Sequence, residues 1–180
     1  AQVAAGRSGL SFNGATDSVA LLPLATDLSR GLTISAWVCF ARYDPWARIV
    51  DLGNGPASDN ILLCRSSGTQ LNFAVYSAGT LSELTTPAGV LPTDGTWFHV
   101  AATLSTDGSA AVYVNGAKVA SKASMAMPRA GVVRSSAYLG KSNWSSNPLL
   151  CGQLSDLALF DRALSATEIA GVKTSGLAGS

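Results

Sequence analysis

Covalent catalysis needs acids, bases and nucleophiles within reach of one another, and this 180-residue chain offers few. It has two glutamates, nine aspartates, one histidine and three cysteines. Cutting a glycosidic bond takes two carboxylates set roughly 5 to 10 Å apart. Glu83 stands alone in a Thr/Ser-rich stretch that reads as a loop, and Glu168 is placed to cap a helix. The aspartates mostly neighbour Gly, Pro or Asn, which is turn chemistry. Any Ser-His-Asp or Cys-His device must use His99, which lies inside the strand pattern Trp97-Phe98-His99-Val100. That is the setting of a structural histidine. Cys39, Cys64 and Cys151 are scattered and form no CxxC pair, so zinc-ligand spacing is missing. One disulfide with a free thiol, or three buried reduced thiols, both fit. The expectation is a chain that is not an enzyme.

Binding chemistry is better represented. Sugars are held by aromatic platforms beside a few placed amide or hydroxyl groups. Two loops supply these. Arg42-Tyr-Asp-Pro-Trp-Ala-Arg48 brings Tyr43, Trp46 and two arginines into a Pro-containing turn, and Arg48 is a candidate ligand contact. Ser142-Asn-Trp-Ser-Ser-Asn147 sets Trp144 between Asn143 and Asn147. The competing reading of either ring is that it merely caps the end of the fold. Asn143-Trp144-Ser145 is also an N-glycosylation sequon, and a glycan on Asn143 would cover that loop. Trp37 and Trp97 fall in strand patterns and read as core. The Asp59, Asn54 and Asn60 cluster is a further loop candidate, although such residues are ordinary in turns.

The elements that must position these groups are short strands. Apolar runs of four to eight residues are punctuated by Gly, Asn, Asp and Pro about every ten residues, the rhythm of an all-β sandwich. Ile34, Ala36, Val38 and Phe40 alternate with Thr33, Ser35, Trp37 and Cys39 within Leu32 to Arg42. Asp107-Gly108 and Asn115-Gly116 read as hairpin turns, so the middle of the chain is an antiparallel meander. The Ser165-x-x-Glu168 pair is a capping box that opens one short helix near the end. One domain is expected over residues 1–180, with the Gly-Leu-Ala-Gly-Ser ending as a frayed tail or the start of a linker.

Composition removes other classes. Net charge is +1 and the basic residues are dispersed, so no footprint for nucleic acid appears. No run approaches the ~20 apolar residues of a membrane span, and Val19 to Leu22 is stopped by Pro23. No secretory signal stands at the start, as a mature or excised chain would also lack one.

Five segments, in order, resemble the laminin G-like, concanavalin A-like lectin/glucanase jelly roll. They are Leu10-Ser-Phe-Asn-Gly14, Leu32-Thr-Ile-Ser-Ala-Trp-Val38, Gly95-Thr-Trp-Phe-His-Val-Ala-Ala-Thr103, Val112-Tyr-Val-Asn-Gly116 and the stretch from Gly152 to Ser165. The resemblance implies two stacked antiparallel sheets of six or seven strands, one of them concave, with sites on edge loops or in the groove. Glucanases of that superfamily carry alternating Glu and Asp on one strand, and nothing here resembles that run. The one cofactor implied is calcium, held by carbonyls of a Phe-Asp-Gly-like turn and an Asp of the last strand. Here the turn is Phe12-Asn13-Gly14, Ser155 holds the expected Asp position, and Asp156 lies one residue along. Either the ladder is bulged and Asn13 and Asp156 share the ion, or the site is lost. The family resemblance, with the aromatic loops, implies an extracellular or cell-surface recognition module for carbohydrate or glycoprotein. The alternative is a structural or protein-adhesion module packed against neighbouring subunits, for which sparse charge is suited.

Overall fold

In a computed structural model, which describes residues 7–176, the chain forms two antiparallel six-stranded sheets, one short helix and no closed barrel. Beyond Gly176 the tail lies outside the described residues. In chain order the strands are β1 (Leu10–Asn13), β2 (Val19–Ala20), β3 (Leu32–Phe40), β4 (Arg48–Gly53), β5 (Ile61–Arg65) and β6 (Leu71–Ser77). There follow β7 (Thr80–Thr85), β8 (Phe98–Leu104), β9 (Ala110–Val114), β10 (Ala117–Lys122), β11 (Ser136–Leu139), β12 (Cys151–Phe160) and the helix α1 (Ala166–Ser175). The first sheet runs β1-β12-β3-β8-β9-β10 and the second β2-β11-β4-β5-β6-β7. This is the jelly-roll sandwich. Among the described residues no helix is long and apolar enough to cross a membrane.

The period of two sorts each strand between core and surface. Ile34, Ala36, Val38 and Phe40 face Ile61, Leu63, Phe73 and Val75 of the other sheet inside one continuous core. Asn115-Gly116 has both central residues at positive φ (52° and 86°), the geometry that joins β9 to β10 in a two-residue turn. Ala78 and Gly79 do the same between β6 and β7 (50° and 79°). Ala at the first of those positions hides the hairpin from sequence reading, so Glu83 lies on an edge strand and not in a loop. The four-residue β11 was likewise too short to stand out.

Trp37 and Trp97 correct the reading of them as core. Trp37 belongs to the outward alternate of β3, half-buried with the Arg7 guanidinium 4.0 Å from its ring centroid. Trp97 is half-buried just before β8. The helix covers part of the same outer face, where Leu164 and Ile169 pack on Ala101, Ala111 and Tyr113. Its capping box is formed: Ser165 accepts from the Glu168 amide, and Glu168 accepts from the Ser165 amide.

His99 is sealed on this face. Its Nε2 shares a 2.9 Å hydrogen bond with Ser35 Oγ, and Trp37 meets its ring edge-on. Burial first, then the charges of Lys173 and Arg7, lowers its pKa from 6.5 to about 4. A base held neutral in this way supports the fold fully above pH 6.5 and loses that support as pH falls toward 4, because the unfolded chain takes up the proton first. The shift corresponds to about 3 kcal/mol. Urea midpoints measured from pH 7 to pH 4 are expected to fall, and to fall less steeply in His99→Gln; equal slopes would contradict this role.

Candidate functional site

The outer face of the second sheet is partly covered by Trp144 and its loop, and a bulge decides what that face displays. Arg48 pairs with Cys64 and Val50 with Leu63, so Ile49 is an extra residue in β4. Ile49 and Val50 both enter the core. In a regular strand Arg48 and Asp51, three apart, would point to opposite faces; the bulge puts both outward. The side chains of Leu62, Cys64 and Ala74, with Tyr76 and Trp144 against them, form a separate apolar cluster on this outer face. Burial pushes the Cys64 thiol up to about 12, which makes it a neutral piece of the floor.

Asp51 is fully buried beneath the loop that carries Trp144 and accepts four hydrogen bonds. Oδ1 receives Asn60 Nδ2 at 2.8 Å and Asn143 Nδ2 at 2.9 Å. Oδ2 receives the Asn143 amide at 3.0 Å and, more loosely, Arg48 Nε at 3.4 Å. Asn143 gives its remaining amide hydrogen to the Ser136 carbonyl at 2.9 Å. Gly53 leaves the room this needs, since a Cβ there would stand 2.2 Å from Asn60 Nδ2. The second loop is tied to the same group: Arg48 Nη1 donates to the Trp46 carbonyl at 2.7 Å, while the Trp46 amide donates to the Arg65 carbonyl at 2.8 Å.

The result is a groove of about 330 Å³. Trp46, Trp144 and Tyr76 line it with Leu62, Ala74 and Leu81, and its polar edge is Arg48, Asn72, Glu83 and Asn147. Tyr76 and Trp144 lie 5.3 Å apart between centroids, tilted at 44°. Burial, then the Glu83 carboxylate, raises the Tyr76 phenol above its usual value, so it is a neutral hydroxyl. Asn72 Nδ2 donates to Glu83 Oε2 at 2.8 Å and to Thr85 Oγ1 at 2.9 Å, which fixes the carboxylate at the rim.

The two aromatic loops named from sequence therefore meet here, through Trp46, Arg48 and Trp144. Tyr43 does not join them; its ring lies 4.9 Å from the Arg65 guanidinium, away from the groove lining. Asn143 is a fastening beneath the rim and not a rim group. Its Nδ2, the atom a glycan would occupy, spends both hydrogens on Asp51 and Ser136. Asp59, Asn54 and Asn60 are latches: Asp59 takes two bonds from Arg129 (2.6 and 2.7 Å), and Asn54 holds Ser135. Sequence reading missed Asn72, Tyr76 and Glu83; the signal was the alternation of Asn72, Ala74 and Tyr76 against Leu71, Phe73 and Val75.

A family model described as the concanavalin A-like lectin/glucanases superfamily, laminin G type, matches residues 13–170. The chain belongs to that family. Among solved structures, this laminin G-like domain superposes on a heptameric SAP-like pentraxin from Limulus polyphemus with a TM-score of 0.71 and 19% identity, covering 92% of this chain and 81% of that one. Domain 4 of AbnA, an extracellular arabinanase from Geobacillus stearothermophilus solved with arabinotriose, gives 0.72 and 18%, covering 91% and 75%. The sialidase CBM40 of Ruminococcus gnavus, solved with α2,3 sialyllactose, gives 0.67 and 14%, covering 88% and 96%. A comparison with curated proteins returned no match.

Asp51, Leu62, Ala74 and Glu83 form one row across four strands, so the backbones of Asp51 and Glu83 stand about 14 Å apart, and the Asp51 carboxylate is buried with its acceptor positions taken. Asn13 and Asp156 are not brought together. β12 is bulged after Ser155, as one alternative required, with Asp156 at φ 49°. Asn13, however, pairs with Cys151, roughly 15 Å along the strand from Asp156. Asn13 Oδ1 accepts three backbone amides of its own turn, and Asp156 pairs with Arg7. Among the described residues no three His, Cys, Asp or Glu side chains gather as a metal site. The cysteines are free, with Cys39 and Cys64 buried.

Trp46 sits at φ 68°, a left-handed conformation unusual for a bulky residue, and the residue is still 44% exposed. Strain of this sort costs about 1–2 kcal/mol and clusters at functional sites. Trp46→Ala and Trp46→Gly lose the same ring, but only glycine relieves the backbone. The Gly variant is expected to be the more stable by about 1 kcal/mol, roughly 2–4 °C in Tm. Equal melting, or a more stable Ala variant, would contradict the strain.

Proposed function

We propose that this laminin G-like domain is a non-catalytic recognition module that binds carbohydrate in the groove of the second sheet. The observation that carries the reading is the convergence of Trp46 and Trp144, from loops about a hundred residues apart, on one largely apolar floor rimmed by Glu83 and Asn147. Sugar rings stack their C–H faces on such rings, and the polar rim orients their hydroxyls. The arabinotriose and sialyllactose held by two proteins of the same fold support the reading by analogy alone. In this account the domain acts outside the cell or at its surface, within a larger protein, on free glycans or glycoproteins.

A second reading, an adhesion module, is favoured by one observation. Leu10 and Leu22, 49% and 87% exposed, line two apolar clefts that share Leu21 and Leu157. Exposed leucines beside apolar clefts are the kind of surface that an interface with a neighbouring chain covers.

Glycan-array binding separates the two. Trp46→Ala and Trp144→Ala are each expected to weaken binding at least tenfold, the ratio for about 1.4 kcal/mol, while Tyr43→Ala leaves it unchanged. Glycan binding that survives loss of both tryptophans would contradict the assignment of this groove.

A further inference from the structure

We propose that the groove is selective for uncharged saccharides with adjacent hydroxyl groups and discriminates against sialylated or uronic-acid sugars. This rests on the carbohydrate reading above and adds to it the class of sugar. Two charged side chains line the groove. Arg48 is 4% exposed, gives Nη1 to the Trp46 carbonyl and is neutralised by the buried Asp51 carboxylate. Its cationic charge is spent on assembling the site. Glu83 is exposed, and among the described residues it makes no ion pair. The field that a ligand meets is therefore that of a carboxylate.

Neither nearby lysine reverses this. Lys122 Nζ donates to the main-chain carbonyl of Glu83 at 3.0 Å and, among the described residues, makes no ion pair with its carboxylate. Lys141 rests over the Tyr138 ring, 4.8 Å from its centroid, and is not among the lining residues. What Glu83 offers is acceptance. Its Oε2 already takes one hydrogen from Asn72, and Oε1 has no donor among the described residues. A carboxylate fixed at a rim can accept from neighbouring sugar hydroxyls, and hydrogen bonds to a charged acceptor are the strong ones. A second carboxylate brought to the same rim is repelled.

The aromatic groups argue against a cationic ligand. A cage for an ammonium group needs rings that face one another across a gap. Tyr76 and Trp144 are in contact instead, 5.3 Å between centroids, and Arg48 already lies 5.5 Å from the Trp144 centroid. The rings form a platform, which suits the flat face of a neutral sugar.

The test is binding to matched oligosaccharides, neutral and capped with α2,3-linked sialic acid or hexuronate, at 50 mM and 500 mM salt. Neutral members are expected to bind at least tenfold tighter at low salt, with the gap narrowing at high salt as the repulsion is screened. Glu83→Gln keeps an acceptor for Asn72 and removes the charge. It is expected to weaken neutral binding several-fold and shrink the neutral-to-acidic ratio. Equal or tighter binding of the acidic members overturns this inference alone; no binding of either class overturns the carbohydrate reading with it.

Discussion

A carboxylate with no access to water is tolerable only if every lone pair is used, and Asp51 meets that condition by recruiting partners from three parts of the chain. Asn60 arrives from the β4–β5 turn, Asn143 from the loop after β11, and Arg48 from its own strand. Removing the acceptor would strand these donors in a dry interior, so the group holds the loops together for as long as the sheet exists. The groove is a consequence. Trp144 follows Asn143 directly, and Trp46 is gripped by Arg48, so both platforms are set by one buried charge.

The same economy explains the electrostatics of the surface. Arg48 and Asp51 cancel inside the fold, and only Glu83 is left to face a ligand. A bulge of one residue makes this possible, since without Ile49 inserted into β4 the arginine and the aspartate would lie on opposite faces. The strained backbone of Trp46 belongs to the same arrangement, because its carbonyl and amide are each held by a partner.

Much of the architecture was legible in the chain. Alternation in β3, the Asn115-Gly116 turn and the Ser165-to-Glu168 box are local signals, and each forms as read. The loops carrying Trp46 and Trp144 were visible as aromatics in polar surroundings. What sequence could not give was register. Glu83 looked like loop because Ala78 stands where Asn or Asp would announce a hairpin. Asn72 and Tyr76 looked like strand filler because their face depends on what lies across β5 and β7. Asp51 was unremarked, since a single Asp in an apolar strand gains its meaning only from Asn60 and Asn143. The edge near β1 shows the converse: in sequence Asn13 and Asp156 could share an ion only if β12 bulged, and β12 is bulged, yet ladder pairing keeps them apart.

That one buried carboxylate fastens both aromatic loops is open to native-state hydrogen exchange of Asp51→Ala. The amides of Trp46, Asn143 and Trp144 are expected to lose protection together, while those of β8 and β9 keep theirs until global unfolding, which itself becomes easier by about 3–5 kcal/mol. Parent-like protection at either tryptophan in that variant would contradict it.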